Sequence, residues 1–245
     1  MTGDSNSGNL IDDLRALALE LAMGAAKVVL ASAPTNPLAK SSPTDIVTDA
    51  DRAAEEYIFT ALREARPHDT ILSEEGAVQE GNSGIRWVID PLDGTVNYLY
   101  GIPQWCISIG SEGKVRVGVV YDAVKDEAFT DADKRYPSTK TDLADCLIGT
   151  GFSYSRAMRE RQAEVVSRVL PAVRDIRRAG SCALDLAWVA AGRLDAFYED
   201  DTHAWDISAG LTLVEAAGGA VETHGALTMA AGNIELLHKL RELVL

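Results

Sequence analysis

Two aspartates three residues apart, Asp90 and Asp93, follow a short apolar run and are succeeded directly by Gly94 and Thr95. Because Pro91 cannot continue a central strand, we expect the chain to leave the sheet there and Asp90 to stand at the strand end. The next residues then lie where a helix or tight turn begins, with backbone N–H groups that can meet an anion. A cation held by the two carboxylates would complete a site for a phosphate group.

A simpler interpretation of such residues is structural. Asp-Gly is a common turn dipeptide, and Asp or Thr at a helix start is often only a cap. Asp51 could be only the capping partner of Thr48, and Asp206 could simply favour the dipole of the helix that follows it. Glu74 could lie in a solvated charged loop. Together, however, these side chains supply oxygen ligands without a Cys or His cluster, which suits Mg²⁺ rather than zinc.

The charge of the chain restricts its partners. The 245 residues include 23 Lys and Arg against 37 Asp and Glu, which gives a formal net charge of −14. This acidity argues against nucleic acid as the main partner, since binding to a phosphate backbone needs a basic surface. It does not exclude a phosphate ligand, because a bound metal ion can reverse the local sign of charge.

Cysteine spacing and hydropathy indicate a cytoplasmic protein. Cys106, Cys146 and Cys182 are far apart and form no CxxC pair, so they predict neither a disulfide framework nor a zinc site. The most apolar early stretch, residues 14–30, contains charged residues and predicts neither a signal peptide nor a membrane span.

The elements that position these residues follow from hydrophobic periodicity. We expect residues 1–9 to be disordered and a helix to run from Leu10 to about Ala31. A second helix begins after Thr48 and continues to Ala65, before Pro67. Short apolar runs then predict five strands, of which the third and fourth form a hairpin: Thr70–Leu72, Trp87–Ile89, Trp105–Gly110, Val115–Tyr121 and Glu127–Thr130.

A polar segment, residues 131–145, is the best candidate boundary between two halves. It divides an N-terminal α+β half with an antiparallel sheet (10–140) from a C-terminal α/β half (141–245). Strands and helices alternate in the second half, which favours an α/β layer. The predicted strands are 146–149, 173–177, 193–198 and 220–222. The predicted helices are 160–170, 181–191, 206–217 and 234–245.

Four ordered motifs give the chain a family resemblance. It resembles the inositol monophosphatase family of Mg²⁺-dependent, lithium-sensitive sugar phosphatases, from Lys40 to the C-terminal helix. This resemblance implies a layered α/β/α/β/α sandwich with the metal site between the two halves. The motifs are Asp45-x-Val47-Thr48-x-x-Asp51, Ser73-Glu74-Glu75, Trp87-x-x-Asp90-Pro91-x-Asp93-Gly94-Thr95-x-Asn97-Tyr98, and Trp205-Asp206-Ile-Ser-Ala-Gly…Glu215-Ala-Ala-Gly218-Gly219.

The resemblance also implies two to three Mg²⁺ ions and their ligands. Glu74, Asp90 and the backbone carbonyl of Leu92 correspond to the ligands of one ion. Asp90, Asp93 and Asp206 correspond to those of a second, and a weaker third ion lies near Glu74.

Catalytic and substrate-binding roles are carried over in the same way, with Asp51, Thr95 and Glu74 as the catalytic residues. Thr95, hydrogen-bonded to Asp51, helps to activate the attacking water, and the N–H groups of Gly94 and Thr95 hold the phosphate. Glu199 matches a position that contacts the sugar hydroxyls. Cys182 stands where relatives often have Ala near the substrate, so it is either a core thiol or part of a slightly altered pocket. Asp93 and Asp206 belong to the substrate site as well as to the metal site.

The implied activity is hydrolysis of myo-inositol 1-phosphate, or of a similar small polyol phosphate, by a metal-activated water in a homodimer. Uncatalysed hydrolysis of phosphate monoesters is extremely slow, and two metal ions can supply a large reduction of the barrier. Histidinol phosphate, fructose bisphosphate and adenosine 3′,5′-bisphosphate are rival substrates for the same chemistry. A regulatory relative that binds another protein is the alternative from a different class.

Three positions leave questions within this resemblance. After Phe129 many relatives carry a Gly-rich stretch, whereas residues 130–140 here are shorter and polar, which leaves the strand count and the dimer surface open. Lys40 matches a lysine near the catalytic loop. His203 is the only histidine that we place at the site.

Overall fold

The structure is a computed structural model that describes residues 4–33, 37–39 and 46–245. A short antiparallel pair, β1 (Leu38–Ala39) and β2 (Ile46–Val47), precedes two larger sheets. The first large sheet has six strands: β3 (Thr70–Ser73), β4 (Val78–Gln79), β5 (Ile85–Asp93), β6 (Cys106–Gly113), β7 (Val117–Asp122) and β8 (Glu127–Thr130). Its order is β4-β3-β5-β6-β7-β8, and all neighbours are antiparallel except β3 and β5.

The second large sheet has five strands from later in the chain. They are β9 (Leu147–Thr150), β10 (Asp175–Arg177), β11 (Ala196–Glu199), β12 (Ala220–His224) and β13 (Leu227–Ala231). Their order is β10-β9-β11-β13-β12, with β9 parallel to both β10 and β11. Side chains alternate along β11, so Tyr198 packs in the hydrophobic core on one face of this sheet, whereas Glu199 points to the other face.

Seven α-helices, together with two short 3₁₀ helices (Leu143–Asp145 and Leu170–Ala172), complete the described part of the chain, and six of the α-helices form three layers. The α-helices are α1 (Asp4–Ala31), α2 (Asp49–Ala65), α3 (Thr95–Leu99), α4 (Arg156–Val169), α5 (Cys182–Ala190), α6 (Ala204–Ala216) and α7 (Ile234–Val244). Helices α1 and α2 cover the outer face of the six-stranded sheet, and α4 and α7 cover that of the five-stranded sheet. Helices α5 and α6 lie between the sheets. The fold is therefore the expected α/β/α/β/α sandwich.

Helix α2 shows how the sequence determines one of these elements. Its start is a capping box in which the Asp51 carboxylate accepts a hydrogen bond from the Thr48 backbone N–H at 2.8 Å. Apolar residues four apart, Ala50, Ala54, Ile58 and Leu62, are fully buried on one side of the helix. The helix ends before Pro67, which confirms the predicted element.

Glycines let α6 approach the six-stranded sheet closely. A Cβ atom added to Gly110 would lie 2.6 Å from the Ser208 hydroxyl, and one added to Gly118 would lie 2.6 Å from the Ala209 carbonyl oxygen. Without those side chains the helix backbone can rest directly on the sheet. This contact places α6, whose first turn carries Asp206, against the sheet that carries Asp90 and Asp93.

The prediction that the chain leaves the sheet at Pro91 is wrong. Strand β5 continues to Asp93, which pairs with Cys106, and the register shifts between Asp90 and Asp93. Pro91 has no N–H group to donate to the neighbouring strand, and a bulge leaves this residue unpaired. The hydrogen-bonded pairing therefore resumes after it. Asp90 and Asp93 are therefore both strand residues, separated by a bulge.

Other boundaries differ from the sequence expectations by a few residues. Helix α1 starts at Asp4 rather than near Leu10, so residues 4–9, which we expected to be disordered, are helical. Each residue added to an existing helix gains one backbone hydrogen bond, which allows such an extension beyond the apolar pattern. The predicted hairpin is present as β6 and β7, with residues 111–113 inside β6 rather than in the turn.

Several short strands were not predicted, including β13, whose five residues are all buried and do not alternate between apolar and polar. Residues 131–142 after β8 contain no strand or helix. The predicted boundary at residue 140 stays a prediction. Among the described helices, none has the length and apolar character that crossing a bilayer requires.

Candidate active site

A cleft of about 560 Å³ opens where the end of β5, the start of α5 and the start of α6 meet. The loop that follows β9 forms one wall, and the end of β11 forms another. The acidic side chains that line the cleft are those of Glu74, Asp90, Asp93, Asp185, Glu199, Asp201 and Asp206. Arg178 is the only Lys or Arg among its described lining residues.

Asp90 is at the floor of the cleft and is almost completely buried. One of its carboxylate oxygens, Oδ1, accepts a hydrogen bond from the Leu92 backbone N–H at 3.0 Å. Burial raises the pKa of Asp90 well above its usual range, and the negative charges of Glu74, Asp93 and Asp206 raise it further. A hydrogen bond between the Glu74 and Asp90 carboxyl groups acts in the same direction. The carboxylates are thus close enough to repel one another.

Asp93 is held from the side of the protein by the start of α5. Its Oδ2 atom accepts hydrogen bonds from the Ser181 hydroxyl at 2.6 Å and from the Ala183 backbone N–H at 2.8 Å. The Cys106 thiol lies 3.7 Å from the same oxygen. Burial raises the pKa of Asp93 to about 7, although the Ser181 hydrogen bond opposes this change and the charge of Asp206 adds to it.

Thr95 and Asp51 form a hydrogen-bonded pair at the edge of the cleft. The Thr95 hydroxyl lies 2.8 Å from Asp51 Oδ1 and 3.0 Å from the Leu92 carbonyl oxygen, so its one proton has two acceptors. The other oxygen of Asp51 accepts from both the backbone and the hydroxyl of Thr48. Burial raises the pKa of Asp51, and these hydrogen bonds oppose the shift. Asp51 thus caps α2 and contacts Thr95.

Gly94 connects β5 to α3 in a conformation that favours glycine. Its φ angle is +96°, and an added Cβ atom would lie 3.0 Å from the Gln104 carbonyl oxygen. This tight turn directs the backbone at Gly94 and Thr95 into the cleft, where both residues are part of the lining.

Asp206 likewise has a structural contact and a place in the cleft. It is the third residue of α6, and its Oδ2 atom accepts a hydrogen bond from the His203 backbone N–H at 2.6 Å. The His203 ring stacks on Trp205 with 5.0 Å between centroids, and its Nδ1 atom lies 3.5 Å from Asp206 Oδ2. The hydrogen bond with Asp206 raises the pKa of His203. The capping interpretation and the functional interpretation of Asp206 are therefore compatible.

Glu199 and Cys182 line the other end of the cleft. Burial raises the pKa of Glu199 to about 8, the charge of Asp206 adds to the shift, and Arg178 opposes it. A Cβ atom on Gly151 would lie 2.1 Å from the Glu199 carboxylate, so this side chain packs directly on a glycine backbone. Burial also raises the pKa of the Cys182 thiol well above its usual range, which keeps the sulfur protonated and a poor nucleophile.

The donor set of the cleft fits a hard divalent cation. Glu74, Asp90, Asp93 and Asp206 supply carboxylate oxygens, and the Leu92 carbonyl is available beside them. Their mutual repulsion in a buried setting is what a cation would relieve. Within residues 4–33, 37–39 and 46–245, no three acidic, His or Cys side chains surround one point at ligand spacing.

A family comparison agrees with this geometry. Residues 10–239 match the model of the inositol monophosphatase family. The chain belongs to the inositol monophosphatase family. Its curated relatives include proteins named inositol-1-monophosphatase and proteins named Nus factor SuhB.

Individual relatives cover most of the chain. An inositol-1-monophosphatase of Mycobacterium bovis is 43% identical over 203 residues, which are 75% of this chain and 70% of that protein. The Nus factor SuhB of Pasteurella multocida is 40% identical over 224 residues, which are 82% of this chain and 84% of that protein.

Solved structures of relatives have the same fold. The extragenic suppressor protein SuhB of Bartonella henselae superposes with a TM-score of 0.87 at 33% identity, over 95% of this chain and 98% of that one. An IMPase of Thermotoga maritima gives a TM-score of 0.84 at 30% identity, over 95% and 96% of the two chains.

The structure brings nearly all the predicted site residues of this family member into one place. Ten of the residues named from the sequence line the cleft or touch a lining residue: Asp51, Glu74, Asp90, Leu92, Asp93, Gly94, Thr95, Cys182, Glu199 and Asp206. His203 lies at the rim. Lys40 and Asp45 lie outside the described residues. The roles of all these residues stay predictions.

Sequence reasoning missed the residues that orient this set. Asn97, which is part of the motif that starts at Trp87, donates from Nδ2 to the carbonyl oxygens of Gln104 at 2.7 Å and Ala179 at 2.9 Å. Ser181 contacts Asp93 across 88 positions of the chain. A serine at the start of a predicted helix is a capping signal, and that signal could have drawn attention to Ser181.

Proposed function

We propose that the protein is a Mg²⁺-dependent phosphomonoesterase that hydrolyses myo-inositol 1-phosphate or a similar small polyol phosphate. The observation that carries this proposal is the position of the two buried carboxylates Asp90 and Asp93. They share one cleft with Glu74 and Asp206 and lie next to the Thr95–Asp51 pair. The family membership supports phosphatase chemistry, and the choice of a polyol phosphate goes beyond it.

Acidic residues would hold the ions. Glu74, Asp90, Asp93, Asp206 and the carbonyl of Leu92 are the proposed ligands for two to three Mg²⁺ ions. When bound, Mg²⁺ would neutralise charge on the phosphoryl oxygens and make water easier to deprotonate. The carboxylate charge that now raises the pKa of Asp90 would then be balanced.

The turn after β5 would bind the phosphoryl group. The backbone N–H groups of Gly94 and Thr95 lie at the N-terminal end of α3, where N–H groups have no partner within the helix. Fixed donors of this kind stabilise negative charge on phosphoryl oxygens without reorganisation. The positive φ of Gly94 fixes their direction.

Thr95 and Asp51 would handle the proton of the attacking water. The Thr95 hydroxyl donates toward Asp51 Oδ1, so the lone pairs of its oxygen remain able to accept a proton from water. The burial that raises the pKa of Asp51 makes this carboxylate a better proton acceptor than an exposed one. No covalent nucleophile is needed.

The far end of the cleft suits a polyol. The Glu199 carboxylate can accept hydrogen bonds from substrate hydroxyls, and it lies beside Cys182 and the backbone of Gly151. Arg178 lines the same cleft, and its positive charge offsets part of the acidic charge around Glu199. Histidinol phosphate, fructose bisphosphate and adenosine 3′,5′-bisphosphate remain rival substrates for the same chemistry.

The proposal is tested by phosphate release from a panel of phosphomonoesters at saturating Mg²⁺. We expect myo-inositol 1-phosphate to have a higher kcat/KM than the three rivals, and Asp93→Asn to abolish turnover. Asp12→Asn, which changes an exposed carboxylate on α1, serves as the matched control and should behave as wild type. Faster turnover of histidinol phosphate than of inositol phosphate would overturn the substrate choice.

A regulatory role is the second candidate, because relatives of similar identity are named Nus factor SuhB. If this protein binds a partner through its surface, Asp93→Asn should abolish hydrolysis and leave that binding intact. Unchanged hydrolysis in this variant would remove Asp93 from the mechanism. We also propose a cytoplasmic homodimer; the three unpaired cysteines support the compartment.

A further inference from the structure

We propose that Ser181 is a positioning residue that fixes which oxygen of Asp93 faces the cleft. The Ser181 hydroxyl and the first turn of α5 hold Asp93 Oδ2, and Oδ1 is thereby presented to the metal site as a single ligand atom. This inference rests on the proposed function for its catalytic meaning, whereas the orientation of Asp93 can be measured without any activity.

The contacts of Asp93 Oδ2 carry the inference. Ser181 Oγ lies 2.6 Å away, the Ala183 backbone nitrogen 2.8 Å and the Cys106 sulfur 3.7 Å. These groups come from α5, its capping residue and β6, so they surround the oxygen from the side of the protein. An oxygen with three such neighbours has little room for a metal ion, which leaves the other oxygen as the ligand.

The direction of the Ser181 proton follows from its second contact. Ser181 Oγ caps α5 by accepting a hydrogen bond from the Leu184 backbone N–H at 3.3 Å. A hydroxyl that accepts at its oxygen still has one proton to donate. The Asp93 carboxylate is the nearest acceptor, and a hydrogen bond to a charged group is the stronger kind.

Ser181 itself is held firmly in place. It is 2% exposed, and the preceding Gly180 has φ of +94°. A Cβ atom on Gly180 would lie 2.8 Å from Asn97 Nδ2, so the turn before α5 packs directly against the Asn97 side chain. Asn97 in turn donates to the Ala179 carbonyl at 2.9 Å. The turn before α5 is thus clamped to α3, and Ser181 meets Asp93 in a fixed register.

Without the hydroxyl, Asp93 would lose its strongest side-chain anchor while the repulsion from its acidic neighbours remained. Asp206 and Glu74 both act on Asp93 electrostatically. We therefore expect the carboxylate to rotate away from them in the absence of Ser181 Oγ. Loss of a group that orients a metal ligand typically weakens metal binding by about 10- to 100-fold.

The test compares Ser181→Ala, Ser181→Gly and Ser181→Thr with wild type. Glycine is nearly as good an N-cap as serine, so Ser181→Gly removes the hydroxyl with little loss of helix stability. Threonine retains the hydroxyl. The matched control is Asn233→Ala, which removes the side-chain cap of α7 far from the cleft.

Two measurements are made on each variant, a crystal structure and Mg²⁺ titration by calorimetry without substrate. We expect Asp93 to turn in Ser181→Gly and Ser181→Ala, with Mg²⁺ affinity about 10- to 100-fold weaker. We expect Ser181→Thr to retain both properties. Asn233→Ala should lower the melting temperature and leave Mg²⁺ affinity unchanged.

The outcomes separate the two proposals. An unmoved Asp93 in both hydroxyl-deletion structures would overturn the role of Ser181, and so would wild-type Mg²⁺ affinity in Ser181→Gly. If wild type itself bound no Mg²⁺, the proposed function would fail, whereas a rotated Asp93 in Ser181→Gly would still support the positioning role.

Discussion

Asp51→Asn is the substitution that best separates the capping role of Asp51 from its proposed role in proton transfer. The wild-type carboxylate accepts from the Thr48 N–H and the Thr48 hydroxyl at one oxygen, and from the Thr95 hydroxyl at the other. An asparagine side chain has one oxygen and one NH₂ group. Whichever way it turns, it therefore places a donor against at least one of these donors.

The structure sets the expected cost of this change. Asp51 is 1% exposed, so a donor left without an acceptor cannot turn to water. Such a loss costs about 1–3 kcal/mol. At about 2 kcal/mol, the melting temperature of a chain of this size falls by about 4–8 °C. The protein therefore remains folded at 25 °C, and its kinetics can be measured.

The kinetic effect should be much larger than the loss of stability suggests. Removing a positioned proton acceptor typically lowers kcat by about 10²- to 10⁴-fold. KM and Mg²⁺ affinity should change little, because Asp51 is not among the proposed metal ligands. The assay is phosphate release from myo-inositol 1-phosphate at saturating Mg²⁺, with Mg²⁺ affinity measured by calorimetry.

Thr48→Ala is the control for the capping role. It removes the hydroxyl partner of Asp51 but leaves the hydrogen bond between Asp51 and Thr95 in place. We expect it to lose stability and to retain kcat within a few fold of wild type. If Asp51→Asn kept the wild-type kcat, or if Thr48→Ala lost as much activity, the proposed proton path through Thr95 and Asp51 would be refuted.

Three further predictions concern other parts of the molecule. Burial opposes the ionisation of Asp69, but hydrogen bonds from Arg66 and Trp87 leave its pKa lowered, so Asp69→Asn should destabilise the protein at pH 7. The difference should disappear as the pH falls from the unfolded-state pKa through the folded one, in urea titrations between pH 7 and pH 2; an equal difference at every pH would contradict it. Gly94→Ala places a residue with a Cβ atom at a φ of +96°, and that atom would lie 3.0 Å from the Gln104 carbonyl oxygen. We expect a lower kcat and a free energy of unfolding that is lower by about 1–2 kcal/mol. A variant as stable and active as wild type would show that the turn tolerates a side chain. Millimolar lithium should inhibit hydrolysis by replacing a weakly held Mg²⁺ and slowing product release, whereas sodium at equal ionic strength should not. An initial rate that lithium does not change would contradict this prediction.

Local patterns in the sequence predicted local structure well. The capping box Thr48–Asp51 and the apolar stripe that follows it are sufficient to define α2, because both its start and its buried face depend on neighbouring residues. The hairpin of β6 and β7 was recognised for the same reason. The family resemblance added the layer order, which local patterns do not contain.

The wrong predictions of strands lie where tertiary contacts override the preference of a local sequence pattern. Pro91 suggested the end of a strand, but the antiparallel partner β6 continues past it and the bulge preserves the pairing of Asp93 with Cys106. Strand β13 was not predicted because both of its faces are buried, so its sequence lacks the alternation of apolar and polar residues that identifies a strand.

The acidic residues of the candidate site could be predicted from the sequence, but the residues that position them could not. Asp90, Asp93 and Asp206 stand in recognisable motifs, whereas the hydrogen bond between Ser181 and Asp93 joins residues 88 positions apart. No periodicity encodes a contact over that distance. The same holds for Glu199, whose place against the Gly151 backbone depends on the pairing of β9 and β11.

The proposed function requires acidic side chains from separate elements to converge on Mg²⁺ in this cleft. The most direct measurement is a crystal structure of the protein soaked in Mg²⁺ together with inorganic phosphate. We expect oxygens of Glu74, Asp90, Asp93 and Asp206 at about 2.0–2.1 Å from bound ions, with the phosphate against the backbone of Gly94 and Thr95. An empty cleft whose carboxylates point away from one another at saturating Mg²⁺ would contradict it.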